Sequence, residues 1–518
     1  MKTPGEGLEF LKAHIEKRWK IAFLSAFFLG FIIHFPVWAM DVPNHDGLAS
    51  MYFDQNMITS GRWFLTVACG ISSYYTLPWL IGLLSMVWLS ITSVILMEIL
   101  EVKKTEWVIL ISALLVSFPA LASTYAYLYT ADGYMLALLL AVLAVYLTKR
   151  FRKGFLAGGI CLAFSMGTYQ AYLSVCIMLC IYVLLQRFLK DGTIREKAGY
   201  VLRFLCMGVL GSGLYYVLLQ ILLRIEGKVL DTYQGINGMT SLGGRNLFVT
   251  VKNMYQDFLT FLLKGNIIFN NVFSMAAFLL LLLLVVFTAF RLAGERGLYK
   301  RPWFYIILAG IILFVPPAMN LILFISPNVG YHLLMRYQYV LLLIFGVAFV
   351  SRRCFEKEKS SALQWLLLAG GAVLCFNFAI SVNIGYSNLQ KRYEKTYAYC
   401  IRLADRIEQT EGYYTGMPVV IMGVVGDENF PPTDITEEVT GNMIGLCGDY
   451  LCYTGPNYKE FFKNYLGVTI EIVDQEKVGE IYNTSEIYHS LNSFPDLNCS
   501  VVVDGMLYIK TENKLEEY

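Results

Sequence analysis

The sequence predicts an α-helical polytopic membrane protein of about eleven transmembrane helices, followed by a small α/β domain. Three observations predict this fold class. Of the 518 residues, 57% are hydrophobic and only 15% are charged, whereas about 25% of the residues in a soluble domain are charged. Apolar stretches near the roughly 20 residues that cross a bilayer recur along the chain. After residue 382, acidic and strand-forming residues replace these stretches.

Eleven apolar stretches are predicted to span the membrane. They lie near Ile21–Met40, Leu80–Leu100, Trp107–Ala122, Ala131–Leu147, Phe155–Thr168, Ala171–Leu185, Tyr200–Leu223, Val272–Phe290, Trp303–Ile325, Tyr337–Val350 and Leu363–Ile380. The fifth, sixth and tenth are short, which favours a bundle with broken or partly inserted helices. Between the seventh and eighth, Asn246–Leu263 has helical apolar spacing and is predicted to lie along the membrane surface.

The distribution of lysine and arginine predicts the orientation of these spans. With the N-terminus in the cytoplasm, the inner segments hold 23 basic residues and the outer loops hold seven. This assignment places the region after residue 382 outside. The formal net charge of the chain is only +2, which argues against nucleic acid as a partner.

Two domains are predicted, a transmembrane domain of residues 1–382 and an extracytoplasmic α/β domain of residues 383–518. The second holds 10 Lys/Arg against 21 Asp/Glu, a net charge of about −11. Strands are expected at Val419–Met422, Val468–Val473 and Val501–Lys510, with a hairpin turn at Asp504–Gly505. Ile401–Ile407 is expected to be helical.

The first outer loop carries two carboxylates, Asp41 and Asp46, and ends in Gly-Arg62-Trp. A carboxylate near bilayer depth costs free energy unless it is paired or used. Partial burial would raise its pKa toward the range of a general base. The alternative is that an outer loop simply needs solvated charges and a helix cap.

Two later outer segments add polar and aromatic side chains. The Tyr-rich segment of residues 125–134 contains Tyr129 and ends near Asp132, which either binds substrate or caps the fourth span. Its tyrosines form either a sugar-binding surface or an interfacial belt. In Gly-Thr-Tyr169-Gln170, the amide either binds a substrate hydroxyl or satisfies a neighbouring helix.

A fourth segment places Arg336 at the outer start of an apolar span, against the trend of the other basic residues. A guanidinium there needs an anion, and its fork fits phosphate well. The alternative partner is Asp46 or Asp132. His332 precedes it without a second His or Cys at metal-ligand spacing, which favours a structural role for His332 over metal binding.

In these motifs the sequence resembles the type II O-antigen glucosyltransferase family of the glycosyltransferase-C superfamily. The resemblance rests on the first-loop acid followed by Gly-Arg-Trp, the Tyr-rich segment ending in Asp132, Gly-Thr-Tyr169-Gln170, and the stretch from Ser326-Pro to Arg336. It covers roughly residues 15–380. The family often has adjacent acids in the first loop, whereas Gly47 follows Asp46 here, so Asp41 and Asp46 both remain candidates.

The resemblance implies a glycosyltransferase-C-like bundle in a bacterial cytoplasmic membrane. It implies an inverting transfer of a hexose, glucose by the family name, from a polyprenyl-phosphate donor to a cell-surface glycan or lipid-linked saccharide. Asp46 or Asp41 would be the base, and Asp132 would orient the sugar or share that role. Arg62, Tyr129, Tyr169, Gln170, His332 and Arg336 would bind substrate. A divalent cation such as Mg²⁺ or Mn²⁺ would suit acids beside phosphate, but no ligand spacing requires one.

The main alternative is a transporter or flippase for a lipid-linked or anionic solute, because such proteins also bury arginines and carboxylates in broken helices. Against it, the chain has no internal repeat, and its acids cluster at the outer mouth rather than at the midplane. A polysaccharide polymerase would share the predicted side and substrate class.

Overall fold

The computed structural model describes residues 3–190, 192–232, 236, 246–326, 329–353, 361–423, 443–448, 450–452, 455–473 and 485–511. The helices are α1 (Pro4–His14), α2 (Lys17–Met40), α3 (Leu65–Cys69), α4 (Pro78–Leu100), α5 (Thr105–Ser117), α6 (Ala120–Ala126), α7 (Leu128–Arg150), α8 (Gly154–Thr168), α9 (Leu173–Leu189), α10 (Ile194–Glu226), α11 (Leu247–Lys264), α12 (Val272–Glu295), α13 (Pro302–Met319), α14 (Ile322–Ile325), α15 (Val340–Arg353), α16 (Ser361–Gln409), α17 (Gly455–Phe461) and α18 (Glu486–Ser490). Short 3₁₀ segments lie at Asp46–Ala49, Ile58–Ser60, Gln170–Tyr172, Leu298–Lys300 and Leu333–Tyr339, and a π-helical turn at Phe462–Leu466.

Among these residues, nine helices are long and apolar enough to cross a membrane, so the chain is a polytopic membrane protein. They coincide with nine of the eleven predicted spans. The other two predicted spans are also helical, but neither is a single long helix. The third consists of α5 and α6, which form a pair bent by 45°, and the fifth is α8, which is shorter than the nine spanning helices.

Local chemistry explains both exceptions. Phe118 precedes Pro119 and has the extended conformation that a following proline favours (φ −63°, ψ 130°), and a proline nitrogen cannot donate to the helix. The 15 residues of α8 rise only about 22 Å, less than the roughly 30 Å of bilayer hydrocarbon. The chain then extends at Tyr169, which is buried in protein. A membrane protein tolerates irregular backbone under that condition.

Contacts between connections define two ends of the bundle. At one, which we name the Glu101 end, the Glu101 carboxylate pairs with Lys149, Lys190 and Arg352 at 3.0, 3.0 and 2.8 Å. At the opposite end, which we name the Arg62 end, the connection after α2 meets the break after α8. Successive connections along the chain thus lie at alternate ends of the bundle, as expected when each helix crosses in the direction opposite to the one before it.

Inside the bundle, His34 of α2 joins two other helices. Its Nε2 donates to the Val116 carbonyl of α5 at 2.8 Å, and its Nδ1 lies 2.6 Å from the Tyr386 hydroxyl of α16. The ring is fully buried, so these two partners offset the cost of removing it from water.

Four strands follow α16 in the order β2-β1-β4-β3, where β1 is Pro418–Met422, β2 Glu471–Ile472, β3 Ser500–Val503 and β4 Met506–Lys510. β1 lies parallel to β2 and β4, and β3 and β4 form an antiparallel hairpin. Asp504 and Gly505 both have positive φ, as the tight turn predicted there requires. α16 runs without a break through residue 382, and the division into two domains at that position stays a prediction.

Candidate functional site

The Gly-Arg-Trp turn after α2 and the break after α8 fit into each other through two glycines. Gly61 has φ +76°, and a Cβ on it would lie 2.7 Å from both the Gln170 amide nitrogen and the Tyr215 hydroxyl. A Cβ on Gly167 would lie 2.5 Å from the Trp63 ring. Both distances are too short for a real Cβ. The two motifs therefore pack in this way only because both positions lack a side chain.

We name these two packed motifs the interlock. Arg62 projects from the interlock onto a pair of stacked tyrosines. Its Nη1 donates to the Tyr134 hydroxyl at 3.1 Å, and its guanidinium lies 5.5 Å from the centre of the Tyr169 ring. The Tyr134 and Tyr169 rings stack at 4.2 Å. The Tyr169 hydroxyl is buried without a hydrogen-bond partner among the described residues. Buried polar groups are normally satisfied, so this hydroxyl is available to a substrate or to water.

Gln170 uses its amide nitrogen within the fold. Nε2 donates to the Ser60 carbonyl at 3.1 Å and to the Tyr215 hydroxyl of α10 at 3.2 Å. These bonds agree with the second of the two roles considered from the sequence, in which the amide satisfies its neighbours, and the bond to a substrate hydroxyl stays a prediction. Through these bonds Gln170 holds the turn that presents Arg62.

A cavity of about 40 Å³ lies beside this cluster. It is lined by Ser60, Arg62, Tyr169, Gln170, Ala171, Ile236, Ile322, Ser326, Val329 and Met335. The structure therefore brings together the first, third and fourth segments selected from the sequence. A cavity needs about 10–15 Å³ to hold one water molecule, so this space admits water but is too small for a sugar ring.

Asp132 lies in the interior and has no exposed surface. One carboxylate oxygen accepts from the Gly133 amide at 2.8 Å, and the other accepts from the Ser72 hydroxyl. It is the fifth residue of α7, whose N-cap is Tyr127, so it does not cap the helix. Ser72 was missed in the sequence, because a serine in a loop carries no signal of its own.

The first-loop acids lie at the surface. The Asp46 side chain is 54% exposed and lies 3.4 Å from His45 Nε2. Asp41 is exposed at the end of α2, and partial burial raises the pKa of its carboxyl group. Burial, followed by the charge of Arg392, lowers the pKa of His45 to about 3. His45 is therefore neutral near pH 7, and its contact with Asp46 is not an ion pair.

Residues after α16 brace this loop, which the sequence did not predict. Asn457 donates to the His45 carbonyl at 3.4 Å, and Asn464 donates to the Leu48 carbonyl at 3.0 Å. Gly445 has φ +83°, and a Cβ there would lie 2.7 Å from the Ala126 Cβ. The C-terminal region thus contributes to the surroundings of Asp46.

Arg336 is buried and forms a bidentate pair with Asp257 of α11, at 2.5 and 2.8 Å. Its guanidinium also lies 3.7 Å from the centre of the Tyr331 ring and 4.6 Å from that of Phe261. The alternative weighed for Arg336 was an ion pair with Asp46 or Asp132, and the partner is instead Asp257. Asp257 is the single acid of α11, and its place in the sequence did not identify it as the partner.

The remaining two candidates are Tyr129 and His332. The Tyr129 carbonyl accepts from Gln55 at 3.0 Å, and the ring meets Tyr127 edge-on at 6.4 Å. His332 is half-buried at the start of the Leu333–Tyr339 segment. Pro327 and Asn328, which belong to the same predicted motif, lie outside the described residues.

Within the part of the chain that the structure describes, no group of three or more His, Cys, Asp or Glu side chains is arranged to hold a metal ion.

Comparison with family models identifies a match over residues 35–329 to the family described as glucosyl transferase GtrII. The match extends over more than half of the chain, from within α2 to the segment before His332. Comparison with curated proteins and with solved structures found no match.

Proposed function

Because this chain belongs to the glucosyl transferase GtrII family, we propose that it transfers glucose from a polyprenyl-phosphate carrier to a glycan acceptor at the outer face of the bacterial cytoplasmic membrane. The family indicates a membrane glucosyltransferase, and the many apolar helices agree with it. The donor, the acceptor, the side and the inverting course of the reaction are inferences from the chemistry below and from the superfamily resemblance.

The distribution of charge supports the outer side. The 23 basic residues assigned to inner segments include the cations at the Glu101 end, and basic connections favour the cytoplasm. The Arg62 end would then face outward. Nucleotide sugars are cytoplasmic, whereas a flipped lipid-linked sugar is presented outside, so this orientation favours a lipid-linked donor.

The observation that carries the proposal is the exposed Asp46 carboxylate at the Arg62 end, beside a neutral histidine. Asp46 accepts the proton of an acceptor hydroxyl as its oxygen attacks the anomeric carbon of glucose. The bond from that carbon to the phosphate oxygen breaks, and polyprenyl phosphate leaves with the electron pair. Asp41 is the second candidate for the base. The buried Asp132 is assigned a structural role, in which it holds its hydrogen-bond partners in place.

Two arginines are assigned to the leaving phosphate. Arg62 lies at the cavity beside Tyr169, where its guanidinium would stabilise the negative charge that develops on the phosphate. Arg336 takes part once Asp257 gives up a hydrogen bond to it, because a guanidinium fork binds carboxylate and phosphate alike. Tyr129, Tyr169 and Gln170, with His332, provide the surrounding surface for the sugars.

The Asp46→Asn variant tests the base assignment. We expect it to insert and fold while losing transfer by about 10²- to 10⁴-fold, since a positioned general base contributes about that much. The measurement is transfer from polyprenyl-phosphate glucose to the acceptor glycan by purified protein.

Asp54→Asn in the same loop is the matched control, because Asp54 is also exposed and only caps a local turn. It should transfer glucose at the wild-type rate. Wild-type turnover in Asp46→Asn removes Asp46 from the base role. A wild-type protein that moves substrate across intact vesicles without forming a glycosidic bond contradicts the transferase proposal itself.

A further inference from the structure

A large apolar groove lies between α9, α12, α13 and α15. Its volume is about 530 Å³, within the range of about 300–1,000 Å³ typical of small-molecule sites. Leucine, isoleucine, valine and phenylalanine dominate its walls, with Leu281, Leu342 and Phe345 among them. Its lining includes neither Asp257 nor Arg336 among the described residues. The groove is thus separate from the candidate functional site.

The groove runs along the bundle, because each wall contributes residues from several successive turns. On α13 the lining extends from Trp303 to Val315, a rise of about 18 Å at 1.5 Å per residue. On the neighbouring wall it extends from Leu342 to Arg352, about 15 Å. This length and width suit a hydrocarbon chain that lies parallel to the helices.

The groove exists because α13 stands away from its neighbours. Only 11% of the apolar window of α13 is buried, against 83% for the Leu333–Arg352 segment opposite. In a membrane, the space behind such a helix is filled by lipid rather than by water, since its walls offer almost no hydrogen-bonding groups.

The two ends of the groove differ in charge. Apolar Leu262 and Val315 lie toward the Arg62 end, whereas Gln186 and Arg352 lie toward the Glu101 end. There, three cations surround the single Glu101 carboxylate. Burial raises the pKa of Glu101, but the charges and hydrogen bonds of these cations outweigh it and hold the value at about 2. The carboxylate is therefore ionised, and the described residues of this cluster keep an excess of positive charge.

We infer that this groove binds an anionic phospholipid, with an acyl chain along its walls and the phosphate beside Lys190 and Arg352 at the Glu101 end. Charge complementarity selects this occupant: basic pockets between transmembrane helices bind anionic headgroups. The Lys190 side chain is 40% exposed, so it can contact a headgroup while it pairs with Glu101. Among the described residues that line the groove toward the Arg62 end there is no cation for the phosphate of a sugar donor. The site would therefore hold a structural lipid of the leaflet opposite the proposed reaction.

Native mass spectrometry of the purified full-length protein tests the headgroup assignment. The probes are phosphatidylglycerol and phosphatidylcholine with identical acyl chains. We expect preferential retention of phosphatidylglycerol, and about fivefold weaker retention in Lys190→Gln, since one surface lysine contributes about that factor. Lys153→Gln is the control, because Lys153 is exposed in the connection between α7 and α8 and should leave retention unchanged. Equal retention of the two lipids overturns the inference.

A second pair of variants tests the groove itself. Ala289 lines it, so Ala289→Trp fills the space and should abolish phosphatidylglycerol retention. Ala276→Trp places the same ring on an exposed part of the same helix outside the groove and should not. Unchanged retention in Ala289→Trp contradicts the inference. A competition with undecaprenyl phosphate gives a second contradicting outcome. If undecaprenyl phosphate displaces phosphatidylglycerol from the wild type but not from Lys190→Gln, the cations at the Glu101 end bind the polyprenyl phosphate and the inference is wrong. If Ala289→Trp does not fold, Lys190→Gln and the competition still decide.

Discussion

A single methyl group on residue 61 would reach both Gln170 and Tyr215. At the residue scale, the candidate site therefore depends on the lack of a side chain at Gly61 and Gly167 as much as on the charges nearby. The sequence marked Gly-Arg-Trp and Gly-Thr-Tyr-Gln as motifs but could not show that they touch. Contact between segments about a hundred residues apart depends on how the spans pack.

Gly61→Ala tests this dependence. A left-handed conformation costs a non-glycine residue about 1–2 kcal/mol, and the new methyl group must also displace Gln170 or Tyr215. We expect lower thermal stability in detergent and a large loss of transfer, because Arg62 moves with the turn. Gly213→Ala is the matched control, since space around Gly213 in α10 is open and alanine favours a helix by up to about 1 kcal/mol. Equal stability of the two variants contradicts the close packing.

Asp257 shows why other site residues escaped prediction. Arg336 was selected because it is a basic residue on the side where basic residues are rare. The reasoning that its guanidinium needs an anion was correct. The anion comes from α11, whose sequence shows one acid on a helix with clear apolar periodicity. Such an acid normally indicates only a solvated face, so nothing in the sequence selected it as the partner.

At the element scale, the Arg336–Asp257 pair fastens α11 to the segment of residues 333–339. The proposed phosphate role predicts different effects for the two partners. Arg336→Ala should weaken polyprenyl-phosphate binding by about 10- to 100-fold, the factor that a charge-assisted hydrogen bond contributes. Asp257→Ala should leave that affinity unchanged or raise it, because the guanidinium is then available. Binding measured by native mass spectrometry separates the two.

Both variants unfasten α11, so loosening of that helix alone would affect them equally. An equal loss of affinity in Arg336→Ala and Asp257→Ala would therefore mean that the pair has a structural role only. Unchanged affinity in Arg336→Ala rejects the phosphate role.

The lengths of the apolar stretches predicted one irregular span and missed another. Of the three stretches predicted to be short, the sixth and the tenth belong to helical segments of 20 residues each. The short fifth span corresponds to α8, which ends where the chain must present Gln170. The bend between α5 and α6 was missed as a bend, because Pro119 lies inside a stretch whose hydropathy is continuous.

At the scale of the whole molecule, the number of crossings determines the side of each connection. Nine long helices, the bent pair and α8 make eleven passes if each one crosses. The end of α16 and the N-terminus then lie on opposite sides. The sequence predicted this arrangement from basic residues alone, whereas the strands after α16 needed the structure to show their order.

Fusion reporters test the count. Alkaline phosphatase fused after Gln409 should be active, because it is exported. Green fluorescent protein fused after Arg353, at the Glu101 end, should fluoresce because it stays in the cytoplasm. Fluorescence after both positions would mean that α16 does not cross, and an inverted pattern would reverse the proposed orientation.

The uninterrupted α16 has one mechanical consequence. Its 49 residues form a rod about 74 Å long, more than twice the thickness of the hydrocarbon layer. Arg392, buried on this rod, donates to the carbonyls of Gly445 and Tyr450. Gly445 and Tyr450 are thus attached to the same continuous helix that belongs to the membrane-spanning bundle, so a tilt of that helix would carry both residues with it.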